Sequence, residues 1–75
     1  MPSLADLLPG QQAVVTDIEG DDAITTRLYE MGLIPGCRAR FLGAAPLGDP
    51  LEFEIRHYRL SLRKDEARRV GVTLD

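Results

Sequence analysis

Apolar and polar residues alternate along three short segments in the second half of the chain. Their apolar positions are Ala39 and Phe41, then Leu51, Phe53 and Ile55, then Tyr58, Leu60 and Leu62. A period of two predicts β-strands with one face in the core and the other in water. Arg56 and His57 separate the last two segments and predict a tight hairpin turn, in which we expect His57 to take the positive φ.

The first half predicts a capped turn, a strand and one helix. Ser3 and Asp6 have the spacing of a helix cap, and the β-branched run from Gln12 to Ile18 predicts the first strand. The helix begins at Asp21 or Asp22 and buries a face made of Ile24, Leu28 and Met31. Gly32 is expected to end it with a positive φ, Leu33 to fold back onto Leu28, and Pro35-Gly36 to form a type II turn.

The remaining elements complete a small β-protein. Lys64 to Arg69 predicts a short helical turn, and Val70, Val72 and Leu74 predict a last strand. Five strands and one inserted helix predict a single domain, residues 1–75, that is mainly β and folds as a small, strongly bent barrel. The expected interior consists of Val15, Ile18, Phe41, Leu51, Phe53, Ile55, Leu60, Leu62, Val70 and Val72.

Composition sets limits without indicating a function. The chain has 75 residues, 44% of them hydrophobic, one cysteine and a net charge of −3. No segment is long and apolar enough to span a bilayer, and the first residues carry no basic and apolar leader. We therefore expect a cytoplasmic domain without membrane insertion and without an internal disulfide.

Charge is unevenly distributed along the chain. The first 36 residues hold six acids and one base, whereas the remainder holds six acids and eight bases. This asymmetry predicts a dipolar surface that orients a docking partner, or simply solvated outer strand faces. Net negative charge and few aromatic residues argue against nucleic acid binding.

Catalytic chemistry is hard to assemble from these residues. The chain has no P-loop and no nucleophile-elbow motif, and the Glu52 and Glu54 carboxylates fit the outer face of a strand. Cys37 and His57 are the only soft metal ligands, and zinc needs three or four ligands. We expect no catalytic residues, no cofactor and no dedicated metal site, with Cys37 semi-buried at a strand start.

Glycine and proline occur in two specific constellations. One is Arg27 to Gly36, and the other is Ala45-Pro46-Leu47-Gly48-Asp49-Pro50. In the second, the prolines fix two φ angles, Gly48 allows a positive φ, and Asp49 is expected to close an Asx-type turn. This predicts a stiff arch with an exposed apolar tip at Leu47.

These motifs carry a resemblance that covers residues 4 to 74. The order R-L-x-E-M-G-L-x-P-G (from Arg27), A-P-L-G-D-P (from Ala45) and Y-x-L-x-L-R-x-x-E-A (from Tyr58) resembles the FeoA family, the small ferrous iron transport accessory proteins. The resemblance implies an SH3-like β-barrel without enzymatic activity, whose partner is the FeoB-type membrane iron permease with its GTPase domain. The family often has Gly where this chain has His57. The domain is also similar to the C-terminal module of DtxR-type repressors, but no helix-turn-helix accompanies it here.

The expected partner-binding residues lie in the two glycine- and proline-rich segments. We assign the greatest weight to Leu47 as apolar tip, Pro35 as rigid shoulder and Arg27 as charged rim, although Arg27 could instead pair with Glu30 or Asp22. The full predicted set is Arg27, Met31, Leu33, Ile34, Pro35, Pro46, Leu47 and Asp49. Leu33 and Ile34 could alternatively pack beneath the helix.

Three other roles remain open. Cys37, His57 and nearby acids could serve a metal-sensing or metal-chaperone domain, which a calorimetric titration would detect. Arg27 could act on the phosphates of a GTPase partner. A repressor-like module that regulates a partner is a further alternative, and weak self-association is left open.

Overall fold

The sheet contains five antiparallel strands that wrap around one core. The computed structural model describes residues 2–74. It contains a 3₁₀ turn at Leu4–Asp6 and the elements β1 (Gln12–Ile18), α1 (Ala23–Glu30), β2 (Arg38–Ala44), β3 (Leu51–Ile55), β4 (Tyr58–Leu62), α2 (Lys64–Ala67) and β5 (Val70–Leu74). The strand order is β4-β3-β2-β1-β5. The mainly β fold predicted from the alternation is confirmed, and each predicted strand is present.

Two irregularities in register bend the sheet. One lies between Val15 and Asp17 where β1 pairs with β5, and the other between Phe41 and Gly43 where β2 pairs with β3. Bulges of this kind increase local twist, which allows so few strands to enclose a core. The chain crosses from β4 to β5 through α2, and Ser3 forms an isolated bridge with Gly71 beside β5.

The core matches the predicted interior and extends beyond it. All ten predicted interior residues are buried, and the rings of Phe41 and Phe53 pack with their centroids 5.3 Å apart. Leu60 and Leu62 are buried on β4, whereas Tyr58 is 42% exposed, so its place in the alternation does not make it a core residue. The core also takes up apolar residues from turns and the helix, namely Leu4, Leu7, Leu28, Leu33 and Cys37.

The ends of α1 follow the predicted capping. Asp22 is the N-cap, and its side chain accepts from the Thr25 N–H at 3.1 Å. At the other end Gly32 has φ 100°, and the N–H of Leu33 donates to the carbonyl of Leu28 at 3.2 Å. This is the Schellman hydrogen bond, so the predicted helix end is confirmed.

The hairpin between β3 and β4 corrects one expectation. Arg56, with φ 54°, takes the left-handed conformation, whereas His57 does not. Positive φ at only the first central residue is typical of a type II′ turn, which normally has glycine there. Because the turn is of this type, the strained position falls one residue earlier than predicted.

Neither helix is long enough to cross a membrane. Helix α1 has eight residues and α2 has four, and no helix within residues 2–74 is long and apolar enough to be a membrane span.

Candidate partner-binding surface

The arch between β2 and β3 projects one apolar side chain into solvent. Leu47, at its tip, is 97% exposed. Beneath it the N–H of Gly48 donates to the carbonyl of Ala45 at 2.7 Å, and the N–H of Ala45 donates to the carbonyl of Pro50 at 2.9 Å. Gly48 has φ 89°, as expected of the arch. The backbone therefore presents the leucine on a hydrogen-bonded loop.

Asp49 anchors this arch in a way that the sequence did not predict. Its carboxylate accepts a hydrogen bond, 3.0 Å long, from the backbone N–H of Lys64. Lys64 is the first residue of α2. The expected Asx-type turn within the arch is wrong, because the carboxylate satisfies a free N–H at a helix start instead. The contact ties the arch to an element fifteen residues away.

The second segment places its apolar residues differently. Leu33 is fully buried, whereas Ile34 is 44% exposed and Pro35 is exposed. Met31 is partly buried and packs against the core. The Schellman end turns Leu33 inward, so its predicted place on an exposed surface is wrong, and the alternative that it packs beneath the helix is correct. Ile34 is exposed rather than packed in this way.

The two segments do not form one patch. The loop from Gly32 to Gly36 precedes β2 and the arch follows it, so a strand of seven residues separates them. At about 3.3 Å per residue such a strand spans roughly 20 Å. The Met31 carbonyl accepts from the Tyr58 hydroxyl at the β3–β4 hairpin, whereas the arch contacts α2. The prediction that Leu47 and Pro35 belong to one surface is therefore wrong, because they lie at opposite ends of β2.

Arg27 forms an ion pair that joins the two helices. Its guanidinium pairs with the carboxylate of Glu66 on α2, and neither Glu30 nor Asp22 takes that place. The Glu66 side chain is nearly buried and also accepts from the Arg63 N–H at 2.9 Å. Only a long-range contact brings Arg27 and Glu66 together, so no local spacing could have predicted the pair. Asp22 pairs instead with Arg69 at 2.8 Å.

The helix end is closed by a contact that the sequence analysis missed. The Tyr58 hydroxyl donates to the Met31 carbonyl, the C-cap of α1. A Cβ at Gly32 would clash with this hydroxyl, so the glycine is needed for space as well as for its φ of 100°. The feature of the sequence that could have indicated this contact is Tyr58, which stands among leucines on β4. A tyrosine at the edge of a core commonly forms a hydrogen bond through its hydroxyl.

Cys37 and His57, the two soft metal ligands of the sequence, lie near the end of β2 that is farther from the arch. Cys37 is buried just before β2, and burial raises the pKa of its thiol, while the Ile34 backbone and the charge of Arg56 act in the opposite direction. His57 is exposed in the hairpin turn. Across residues 2–74, no three His, Cys, Asp or Glu side chains come together in a group that could hold a metal ion.

Comparison with known proteins assigns the family. The family model of the FeoA domain matches residues 3–74. The chain belongs to the FeoA family. It is 37% identical over 71 residues to a fusion protein of Fe(2+) transport protein A and the Fe(2+) transporter FeoB from Porphyromonas gingivalis. That match covers 95% of this chain and 8% of the fusion protein, so the chain spans only a small part of this relative.

Solved structures confirm the SH3-like architecture of the FeoA fold. Stenotrophomonas maltophilia FeoA, a prokaryotic SH3 domain protein complexed with zinc, is 34% identical with a TM-score of 0.85. The match covers 97% of this chain and 91% of that one. A manganese-dependent transcriptional repressor has a TM-score of 0.88 at 17% identity, over 97% of this chain and 36% of its own. That likeness concerns the fold alone.

Proposed function

We propose that this chain assists ferrous iron uptake at the cytoplasmic face of the membrane by binding a FeoB-type permease that carries a GTPase domain. The observation that carries the proposal is the 37% identity to a protein in which a FeoA segment and a FeoB transporter share one polypeptide. A covalent link holds two modules at a high effective concentration, and a separate chain must replace that link with an interface. The role we propose is one of contact rather than catalysis.

The arch is the part of the surface that best fits such an interface. A fully exposed leucine on a hydrogen-bonded loop loses little conformational freedom on docking. Pro46 and Asp49 belong to this site as well, because one stiffens the arch and the other anchors it to α2. Ile34, Pro35 and Met31 then form a separate, secondary contact region at the other end of β2.

Arg27 enters the proposal as a charged residue near the interface. The Arg27 side chain is 57% exposed although it pairs with Glu66, so it can still contact a second acidic group. Using it on the phosphates of a GTPase would require breaking a partly buried ion pair. The contact role asks for no such rearrangement and is the one we propose.

Copurification tests the proposal directly. A tagged chain should retain the FeoB-type transporter from detergent-solubilised native membranes, and Leu47→Asp should lose most of it while melting like the parent. Leu8→Asp is the matched control, because Leu8 is also an exposed leucine, at 70%, outside the arch. Retention of the transporter by Leu47→Asp to the same extent as by the control would contradict the assignment of the arch. Failure of the unmodified chain to retain it would contradict the proposed partner.

A calorimetric titration with ferrous iron or zinc distinguishes the metal-binding alternative. The interaction role expects no tight stoichiometric site on the isolated chain. A tight one-to-one complex that Cys37→Ser abolishes would favour metal sensing or metal delivery instead.

A further inference from the structure

A concave pocket on the polar face of the sheet is unusually rich in arginine. It has a volume of about 430 Å³ and lies where β1, β2 and β3 pass the loop before β2. Gln12, Arg40 and Glu54 stand side by side in the strand register across its floor. The complete lining is Gln12, Gly36, Cys37, Arg38, Arg40, Glu54 and Arg56.

The charge of this pocket opposes that of the whole chain. Arg40 and Arg56 line it with a single carboxylate, that of Glu54, whereas the chain has a net charge of −3. The pocket is therefore a local positive region on an acidic protein, and a concave wall concentrates such a field. Arg40 and Arg56 form no ion pair with any carboxylate between residues 2 and 74, so their donors are available to a ligand.

The backbone at Arg56 takes a conformation that ordinarily favours glycine. Its φ of 54° is the only positive φ of a non-glycine residue in the described chain. Such a conformation is unfavourable for an L-residue, whereas glycine takes it at no comparable cost. Because strained residues cluster at binding sites, this conformation makes Arg56 a candidate binding residue.

We infer that this pocket binds an acidic peptide segment in extended conformation, whose carboxylates pair with Arg40 and Arg56. Guanidinium groups hold carboxylates through two parallel hydrogen bonds, which suits an open pocket of this size. Glu54 decides between a peptide and a phosphate. A phosphate concentrates its charge and would lie against the Glu54 carboxylate, whereas a peptide also brings backbone N–H donors that satisfy it.

This peptide site is independent of the arch. The pocket lies at the start of β2 and the arch at its end, so the two can be removed separately. Peptide binding by this pocket does not depend on whether the arch contacts a FeoB-type permease.

The test uses the strained turn itself. The probe is a fluorescein-labelled octapeptide of alternating glutamate and glycine, followed by fluorescence anisotropy at low salt, with its glutamine counterpart as reference. Arg56→Gly should weaken binding by at least about tenfold, since it removes a charge-assisted pair. The same variant should melt at or above the parent temperature, because glycine relieves the turn. Loss of binding without loss of stability separates a binding role from a structural one.

Matched variants complete the experiment. Arg40→Gln, on an exposed strand position, should also weaken binding by at least about tenfold without altering the turn. Arg68→Ala removes one positive charge outside the pocket, so this variant should bind the probe within about twofold of the parent.

Three results would overturn the inference. Arg56→Gly and Arg40→Gln could both bind the glutamate peptide as the parent does. The glutamine peptide could bind equally well, which would exclude charge pairing. Inorganic phosphate could displace the probe at concentrations where chloride does not, which would make the pocket a small-oxyanion site. Amide shifts confined to Arg40, Glu54 and Arg56 on peptide addition would support it.

Discussion

Two turns rich in glycine and proline flank β2, and they place their leucines in opposite environments. Leu33, in the loop before the strand, is fully buried, whereas Leu47, in the arch after it, is 97% exposed. Leu33 follows Gly32, with φ 100°, and Leu47 precedes Gly48, with φ 89°. The difference comes from what the glycine ends. Gly32 ends a helix and directs the chain back over its last turn, whereas the arch joins two paired strands and directs its tip away from them.

The comparison shows that composition does not decide exposure. A Schellman end is frequently accompanied by a hydrophobic contact between the residue after the glycine and the last helical turn, and Leu33 folds inward in this way. A strand-to-strand connection has no such contact to make, and its tip meets only solvent. One leucine therefore contributes to stability and the other remains available to a partner.

The largest expected effect comes from making the same change at both leucines. Leu33→Asp buries a charge without a partner and should leave the domain unfolded, because that cost exceeds the stability of a chain of this size. Leu47→Asp should change the free energy of unfolding by no more than about 0.5 kcal/mol. Urea denaturation followed by far-UV circular dichroism measures both. Equal effects would end the distinction between the two turns.

The two glycines provide the next comparison. Gly32→Val should cost about 3 kcal/mol or more, because a positive φ and a clash with the Tyr58 hydroxyl act together. Gly48→Val meets only Lys64 Nζ at 3.8 Å and should cost about 1–2 kcal/mol from φ alone. Thermal melting of the two variants ranks them. A larger loss at Gly48 would mean that the arch, not the helix end, is the more constrained turn.

Asp49→Ala examines how firmly the arch is held. Removing the acceptor of the Lys64 N–H should lower the free energy of unfolding by about 1 kcal/mol, as for other helix caps. It should also increase hydrogen exchange at Gly48 and leave exchange at Leu33 unchanged. Asp49→Asn, which keeps an acceptor oxygen, is the control. Unchanged exchange in the alanine variant would show that the prolines alone hold the arch.

The smallest expected effect is a pH dependence at the start of α1. Hydrogen bonds from Arg69 and Thr25 hold the pKa of Asp22 below its ordinary value of 3.8. A carboxylate with a lowered pKa stabilises the fold above the unfolded value and loses that contribution as pH falls through the folded one. The parent melting temperature should therefore fall more steeply than that of Asp22→Asn below about pH 4. Parallel curves would mean that the pair with Arg69 adds nothing to stability.

Much of the fold was predictable because the signals were local. Period-two alternation on β2 and β3 indicated both the strands and their buried face, since a strand turns successive side chains to opposite sides. Asp22 and Gly32 indicated the two ends of α1 for equally local reasons. The candidate site was less predictable. The sequence correctly indicated an arch with Leu47 at its tip, but it combined that arch with a loop that lies at the other end of a strand.

By itself, the sequence determined which segments form strands, where α1 begins and ends, and which turn carries an exposed leucine. The tertiary structure alone decided the partners that are distant along the chain: Arg27 with Glu66, Asp49 with the N–H of Lys64, and Tyr58 with the carbonyl of Met31. It also decided that Arg40, Glu54 and Arg56 face one pocket. The physical reason is the distance along the chain over which each interaction acts. Backbone preferences act over a few residues, whereas pairing of charges and hydrogen bonds depends on which surfaces the bent sheet brings together.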